Sequence, residues 1–199
     1  LLATKGGRAI RFASTDVREC QSRDSTGVRG ARLAEGDEVI SLSVLRGFAA
    51  TPQEREDYLK AAPWKEGERE MTLAPERMVE FEAAEEFILT VTANGYGKRT
   101  SAYEYRRTNR GGQGITNVVS SDRNGPVVAS FPAHNGEQLM LVTDQAKLIR
   151  TTVASVRVTG RNTQGVILFR VGSGEHVVSA ARIDEEPEPE NLAEELVAG

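Results

Sequence analysis

The sequence predicts an all-β fold, a propeller-like array of four-stranded blades with a short helical insertion. Two observations support this prediction. One pattern of strands and turns occurs three times along the chain, and glycine or asparagine turns separate its short apolar strands. Units of about 50 residues with four short strands each are typical of propeller-like arrays.

The three copies keep the same internal spacing. In each copy a cation on a strand is followed by a glycine after 15 or 16 residues, and an apolar strand begins 12 or 13 residues later. Successive glycines lie 87 and 51 residues apart, so 36 residues are inserted between the first and second copies. The cation and glycine pairs are Arg11 and Gly27, Arg99 and Gly114, and Arg150 and Gly165.

The repeat spacing divides the chain into five segments. They are a first blade at 1–47, an acidic helical insertion at 48–86, a second blade at 87–137, a third blade at 138–183 and a tail at 184–199. The tail is acidic and contains proline, which predicts disorder, with at most a frayed helical turn. The chain starts at Leu1 within a strand-like stretch, which indicates a piece of a longer protein.

The insertion begins with a strong helix signal. Thr51 can cap a helix and Pro52 fits the first helical position, while Glu54 stands where a capping box needs an acid. These residues predict a helix over Gln53–Ala62, ended by Pro63.

A second helix is predicted to start at Ala74 and Pro75. Its expected apolar stripe contains Met78, Val79 and either Phe81 or Ala84. Trp64 lies between the two helices, where we expect it to anchor the insertion by packing.

Charge is distributed unevenly along the chain. The net charge is -4, but residues 1–47 carry +2 and residues 87–183 carry +7, against -6 for residues 48–86 and -7 for residues 184–199. This asymmetry indicates a basic binding surface on the blades with acidic segments attached. The alternative is a solvated surface without a binding role.

Composition excludes several other classes. The single cysteine, Cys20, rules out an internal disulfide framework and fits a reducing compartment such as the bacterial cytoplasm. No run approaches the ~18 apolar residues of a membrane helix, so no membrane partner is expected.

The stretch from Asn94 to Ile115 concentrates the positive charge. It contains five cations and one acid, Glu104, among turn and glycine residues. Because an unpaired buried charge is costly, such a cluster suits a polyanion better than a core. Regularly spaced arginines can each neutralise a phosphate and release counterions, so the expected partner is double-stranded DNA, bound with little sequence preference.

The predicted DNA-binding residues come from all three copies. They are Arg8, Arg11 and Arg29 in the first, Lys98, Arg99, Arg106, Arg107 and Arg110 in the second, and Lys147, Arg150, Arg157 and Arg161 in the third.

No catalytic or metal constellation is visible in the sequence. The two histidines, His134 and His176, have no cysteine or further histidine at metal-ligand spacing. Phosphate-binding and nucleophile motifs are also missing, so we expect no active site and no cofactor in this chain.

Several blocks of the sequence resemble a known family. STGVRGARLAEGDEVISL, NGYGKRTSAYEY, RNGPVVASF and GRNTQGVILFR are similar to the C-terminal domain of the A subunit in DNA gyrase, which is a type IIA topoisomerase. The resemblance covers residues 1–45 and 87–183. It implies the last three blades of a six-bladed β-pinwheel, in which neighbouring blades exchange a strand.

The resemblance also implies a function. In this family the domain wraps DNA around a basic rim and presents a positive crossover, which lets gyrase introduce negative supercoils. ATP, Mg²⁺ and the cleaving tyrosine would belong to other parts of a heterotetramer with the gyrase B subunit. The location implied is the bacterial cytoplasm, in association with the nucleoid.

The chain departs from the family pattern in two places. The glycine-rich box of the first blade is absent, and the acidic insertion lies outside the common pattern, so it is either a lineage-specific spacer or a docking site for a regulator. Two alternatives stay open: the equivalent domain in the A subunit of topoisomerase IV, and a protein-interaction propeller that works through the insertion.

Overall fold

The computed structural model of the chain describes residues 1–65, 67 and 69–183. In chain order the elements are β1 (Leu2–Thr4), β2 (Arg8–Ile10), β3 (Val39–Leu42), α1 (Pro52–Ala61), α2 (Pro75–Ala83), β4 (Phe87–Thr92), β5 (Tyr96–Ser101), β6 (Ile115–Thr116), β7 (Val127–Ala133), β8 (Gln138–Thr143), β9 (Leu148–Thr152), β10 (Val166–Ile167) and β11 (Val177–Ile183). The predicted strand-rich fold with two short helices is confirmed. The predicted tail lies outside the described residues.

The strands form three antiparallel sheets. Their spatial orders are β3-β1-β2-β6, β10-β5-β4-β7 and β11-β8-β9. Each sheet is built around one hairpin, β1-β2, β4-β5 or β8-β9, to which a later strand of the same repeat is added. The hairpins match the three sequence repeats.

Neighbouring sheets are linked by an exchanged strand. The fourth strand of the first sheet, β6, belongs to the second repeat, where Ile115 pairs with Ala9. In the same way β10 belongs to the third repeat and pairs with the second sheet, with Val166 opposite Gly97. Among the described residues the third sheet has three strands. Residues 1–183, as described, contain no further repeat to donate the fourth.

A glycine with positive φ precedes each exchanged strand. Gly114 has φ 69° and Gly165 has φ 82°, a region that residues with a side chain rarely adopt. A Cβ on Gly114 would lie 2.3 Å from the Ala9 carbonyl oxygen, and one on Gly165 would lie 2.7 Å from that of Gly97. Both glycines therefore let the incoming backbone approach the neighbouring sheet closely.

The main apolar core lies between the second and third sheets. Leu89 and Val91 of β4 are fully buried against Leu139 and Leu141 of β8. Alternate residues of a strand point to the same face, so each strand presents a continuous apolar stripe to its neighbour. This packing fixes the position of the two sheets that carry most of the basic residues.

Helix α1 starts as the sequence predicts. The Thr51 hydroxyl accepts a hydrogen bond from the Glu54 N–H at 3.1 Å, and the Glu54 carboxylate accepts from the Thr51 N–H at 2.8 Å. This reciprocal capping box satisfies two helix-end donors, with Pro52 at the first helical position. The predicted start at Gln53 differs by one residue.

An aromatic cluster anchors the insertion to the second sheet. Tyr58 of α1 and Phe81 of α2 are fully buried and stack at 4.8 Å, and Tyr103 lies 5.2 Å from Tyr58. Trp64 packs on Phe87 at 5.1 Å, which confirms its predicted packing role. Val79, expected in the apolar stripe of α2, is 64% exposed, because Met78 and Phe81 already cover the cluster.

Candidate nucleic-acid interface

Two equivalent loops carry the basic residues from one repeat onto the sheet before it. We call residues 106–114 and 157–165 the crossover loops; each ends at the glycine before an exchanged strand. In the first loop the Thr108 N–H donates to the Arg11 carbonyl at 2.8 Å. In the second the Thr159 N–H donates to the Arg99 carbonyl at 2.8 Å. The two loops thus dock in the same way.

The first crossover loop assembles an exposed group of arginines. Arg106 and Arg107 are exposed and have no hydrogen bond or ion pair from their side chains within the described part of the chain. Arg110 is also exposed, and it donates to the Asp16 carbonyl at 3.0 Å and to the Arg29 carbonyl at 3.2 Å. These contacts bring the exposed Arg29 of the first repeat beside arginines of the second.

The second crossover loop has arginines at matching positions. Arg157 corresponds to Arg106 and is exposed, while Arg161 corresponds to Arg110. Arg161 donates to the Thr116 carbonyl at 2.8 Å and lies 3.7 Å from the Glu104 carboxylate. We call the contact between successive repeats a joint. The Arg161 charge is thus partly neutralised inside the joint between the second and third repeats, and Arg157 is the more accessible of the two arginines.

Arg11 and Arg99 hold successive repeats together. Arg11 donates to the carbonyls of Ala102 at 2.8 Å and Tyr105 at 3.4 Å, in the 3-10 turn of the second repeat. Arg99 donates to the carbonyls of Val156 at 2.7 Å and Ala154 at 3.2 Å, in the turn of the third. Burial lowers the pKa of both guanidinium groups. Their donors are directed into the joints.

Lys98 is fully buried at the same joint as Arg99. Its ammonium donates to the carbonyls of Gly160 at 2.7 Å and Arg161 at 2.8 Å, and to the Thr163 hydroxyl at 3.3 Å. Burial lowers the pKa of Lys98 to about 7. Lys98 therefore anchors the second crossover loop from below.

The other predicted residues differ in their exposure and in the contacts that their side chains make within the protein. Arg8 is half-buried and donates to the Gly114 carbonyl at 2.8 Å. Lys147 forms a 2.6 Å ion pair with the buried Glu175, and this contact lowers the pKa of Glu175 to about 2. Arg150, which occupies the repeat position of Arg11 and Arg99, is exposed and contacts Gln138.

Among the exposed arginines that sequence reasoning passed over, three lie near the predicted residues. Arg32 lies beside the first crossover loop, because its N–H donates to the Gly112 carbonyl at 2.8 Å. Arg123 covers the Tyr96 ring at 5.3 Å, and Arg170 lines the same cleft between the second and third sheets. Arg32 and Arg170 both stand five residues after the repeat glycine, but the second copy has Val119 there, so the cation is not repeated in all three copies.

The described residues contain no group of three or more side chains suited to hold a metal ion. No helix among them is both long and apolar enough to cross a membrane.

Tyr105 is fully buried, and burial raises its pKa, while its hydroxyl donates to Asn117 at 2.5 Å. Tyr103 is also buried, with its hydroxyl on the Phe81 carbonyl at 3.1 Å. These two tyrosines pack within the fold.

A sequence comparison with known families identifies most of the β-structure. The family described as DNA gyrase C-terminal domain, beta-propeller, matches residues 1–46, 86–124 and 137–184. The unmatched residues 47–85 contain both helices of the insertion.

Curated relatives agree with this match. The DNA gyrase A subunit of Rickettsia bellii is 50% identical over 196 residues, which cover 93% of this chain and 22% of the relative. That of Granulibacter bethesdensis is 48% identical over 204 residues, with 90% and 22% covered. That of Escherichia coli is 35% identical over 192 residues, with 96% and 18% covered. The chain spans roughly a fifth of their length.

Solved structures show the same fold. The C-terminal domain of DNA topoisomerase IV aligns with a TM-score of 0.68 at 18% identity, covering 92% of this chain and 46% of the other. A DNA gyrase A C-terminal domain aligns with a TM-score of 0.62 at 23% identity, covering 91% and 49%. Since the family match extends over more than half of the sequence, the chain belongs to the DNA gyrase C-terminal domain family.

Proposed function

We propose that the chain binds double-stranded DNA along the outer surface of its crossover loops, with little dependence on base sequence. The interface consists of the exposed predicted residues, Arg29, Arg106, Arg107, Arg110, Lys147, Arg150 and Arg157, with Arg32, Arg123 and Arg170 beside them. The remaining predicted residues do not contact DNA in this proposal. Their side chains bond to backbone carbonyls beneath the loops and hold the loops in place; they are Arg8, Arg11, Lys98, Arg99 and Arg161.

One observation carries the proposal: Arg106 and Arg107 are exposed beside Arg110 and Arg29 with no acid paired to them in the described residues. Like charges held this close repel one another, so the cluster is costly unless an anion binds it. A DNA backbone supplies such an anion at regular intervals, and arginine binds phosphate with two donors at once. The repetition of the loop at 157–165 offers a second phosphate contact along the same path.

In the whole protein, this binding is proposed to wrap DNA. The relatives are named as the A subunit of DNA gyrase, so the polypeptide containing this chain is proposed to act with the gyrase B subunit on the bacterial nucleoid. Wrapping around successive blades would present a positive crossover for ATP-dependent negative supercoiling. The support for this step is the family membership and the repeated basic loops.

A charge-reversal experiment tests the proposal. We expect Arg106→Glu with Arg107→Glu to weaken duplex binding by about tenfold or more at ~100 mM salt, since two phosphate contacts become repulsive. In the intact enzyme the same variant should lose supercoiling to a greater extent than relaxation. The matched control is Lys60→Glu with Lys65→Glu, an equal charge change at exposed positions of the insertion. Equal losses in the two variants would overturn the proposal.

A further inference from the structure

The acidic insertion carries one arginine whose environment differs from that of its neighbours. Arg55 of α1 is partly exposed, and its guanidinium has no hydrogen bond or ion pair to any described residue. The acids around it are occupied: Glu54 lies 2.8 Å from Arg77, and Asp57 accepts from Gln53 at 2.9 Å. Hydrogen bonds from Arg77 lower the pKa of Glu54 to about 2. Arg55 is thus a cation with no partner among the described residues, on a segment whose net charge is -6.

Helix geometry directs Arg55 toward the joint between the first and second sheets. Residues three positions apart share a face of an α-helix, so Arg55 lies on the same side as Tyr58. Tyr58 packs on Tyr103 at 5.2 Å, within the 3-10 turn Ala102–Glu104. That turn is the one whose carbonyl at Ala102 accepts from Arg11.

The same turn leads directly into the first crossover loop. Arg107 comes two residues after Tyr105, and its backbone pairs with that of Arg11. The Arg11 guanidinium also donates to the Tyr105 carbonyl. Arg11 is therefore the backbone neighbour of Arg107 at this joint. Burial lowers the pKa of Arg11; the nearby Glu86 opposes this shift, and the positive charges of Arg55 and Arg107 add to it.

We propose that Arg55 of the insertion and Arg107 of the crossover loop together bind one backbone phosphate of duplex DNA. This inference rests on the proposed function and extends it to an element that the family match leaves out. By this inference, part of the DNA path lies on the insertion, although the net charge of the insertion is negative and by itself would repel DNA. Arg11, Arg55 and Arg107 lie around this joint, where Glu85 and Glu86 are the facing acids, so one positive charge is left for a phosphate to neutralise.

DNA is favoured over an acidic protein as the ligand, because Arg55 and Arg107 adjoin the outer surface of the crossover loops, where DNA binding is already proposed. Arg106 follows Tyr105 directly and is exposed, so a duplex on the crossover loop passes the joint. The aromatic cluster packs the insertion against the turn that leads into this loop, which keeps α1 beside the path.

The test compares two substitutions on the same helix. Arg55→Gln and Lys60→Gln each remove one positive charge, but Lys60 is exposed about 140° around the helix and pairs with Glu56. In the full-length polypeptide we expect Arg55→Gln to weaken binding to a duplex of ~40 base pairs about three- to tenfold and to reduce the salt slope by about one. Lys60→Gln should change the affinity less than twofold, and Arg55→Lys should restore most of it.

Further variants separate the possible failures. Trp64 packs on Phe87 at 5.1 Å, and hydrogen exchange of the α1 amides shows whether the insertion stays docked in each variant. Combining Arg55→Gln with Arg107→Gln should cost less than the sum of the single losses, because both contact one phosphate. If Arg107→Gln weakens binding and Arg55→Gln behaves like Lys60→Gln, this inference is overturned and the proposed function stands. If Arg106 and Arg107 variants bind normally, the proposed function itself fails.

Discussion

At the scale of single residues, the same side chain performs two different tasks in this fold. Arg99 is buried and donates to the carbonyls of the next repeat, whereas Arg106, seven positions later, is exposed without a partner in the described residues. A guanidinium with five donors can bridge several carbonyls or grip a phosphate. The neighbouring repeat decides between these roles, because it supplies the carbonyls.

Lys98 provides the clearest residue-scale prediction. Lys98→Met leaves the carbonyls of Gly160 and Arg161 without their buried donor, which should cost about 1–3 kcal/mol of stability. Thermal unfolding should therefore shift to lower temperature, while duplex affinity at 25 °C changes less than twofold. The repeat-equivalent positions hold Ile10 and Ile149, so an apolar chain fits this place in the fold. A large loss of affinity without loss of stability would assign Lys98 to the DNA surface instead.

The sequence revealed charge and spacing but not which charges face solvent. The match of Arg11, Arg99 and Arg150 in three copies was visible, and it placed all three on equivalent strands. Two of them became joint residues because a following repeat covers them. Arg55 shows the opposite case. Sequence reasoning did not select it, because the net charge of -6 for residues 48–86 drew attention away from a single cation on the helix face toward the joint.

At the scale of elements, the exchanged strand depends on backbone geometry that only glycine provides. Gly165→Ala must hold φ near 82° and place its Cβ 2.7 Å from the Gly97 carbonyl oxygen. We expect faster amide hydrogen exchange at Val166 and Gly97 and a stability loss of about 2–4 kcal/mol.

Gly174→Ala is the matched control for this effect. Gly174 has φ 71° but no atom within 4 Å of the added Cβ, so it carries the conformational cost without the collision. Its loss of stability should be about 1 kcal/mol. Equal losses in the two variants would show that close approach of the backbone is not what fixes β10.

The insertion should undock more easily as the pH rises. Burial raises the pKa of Glu85 to about 7, against its ordinary 4.5, while its carboxylate accepts from the Ser101 hydroxyl at 2.7 Å. The folded state then binds the proton more tightly, so stability is greatest below about pH 4.5 and is lost as the pH rises to about 7. The pKa of Lys98 is lowered to about 7 from its ordinary 10.5, so its own effect is a gain of stability as the pH rises from about 7 to about 10.5, which the comparison with Glu85→Gln removes.

Urea unfolding followed by Trp64 fluorescence measures this effect directly. Between pH 5.0 and 7.5 the docked insertion should lose about 2 kcal/mol relative to Glu85→Gln, which cannot ionise. The same pH dependence in wild type and in Glu85→Gln would contradict a role for this carboxyl.

The extent to which the sequence predicts elements also has a physical explanation. Helix α1 was predictable to within one residue because its cap is local, made by Thr51 and Glu54 three positions apart. The strands β6 and β10 have two residues each and no periodicity of their own. They exist because a sheet of the preceding repeat pairs with them, which single-segment patterns do not contain.

At the scale of the whole molecule, the basic residues form a path because the exchanged strands fix each repeat to the one before it. Arg29 belongs to the first repeat and Arg106 to the second, yet the Arg110 contact to the Arg29 carbonyl brings them together. Under the proposed function, successive joints would offer successive phosphate contacts. Such an arrangement would favour bending DNA around the array over reading its sequence.

Salt titration of binding to a linear duplex of ~150 base pairs tests the central claim most directly. We predict that affinity falls steeply with salt, with a slope corresponding to about four or more neutralised phosphates, and that the slope is nearly the same for unrelated sequences. Absence of binding at low salt, or an affinity that hardly changes with salt, would contradict the account, because the exposed crossover arginines would then have no role on DNA.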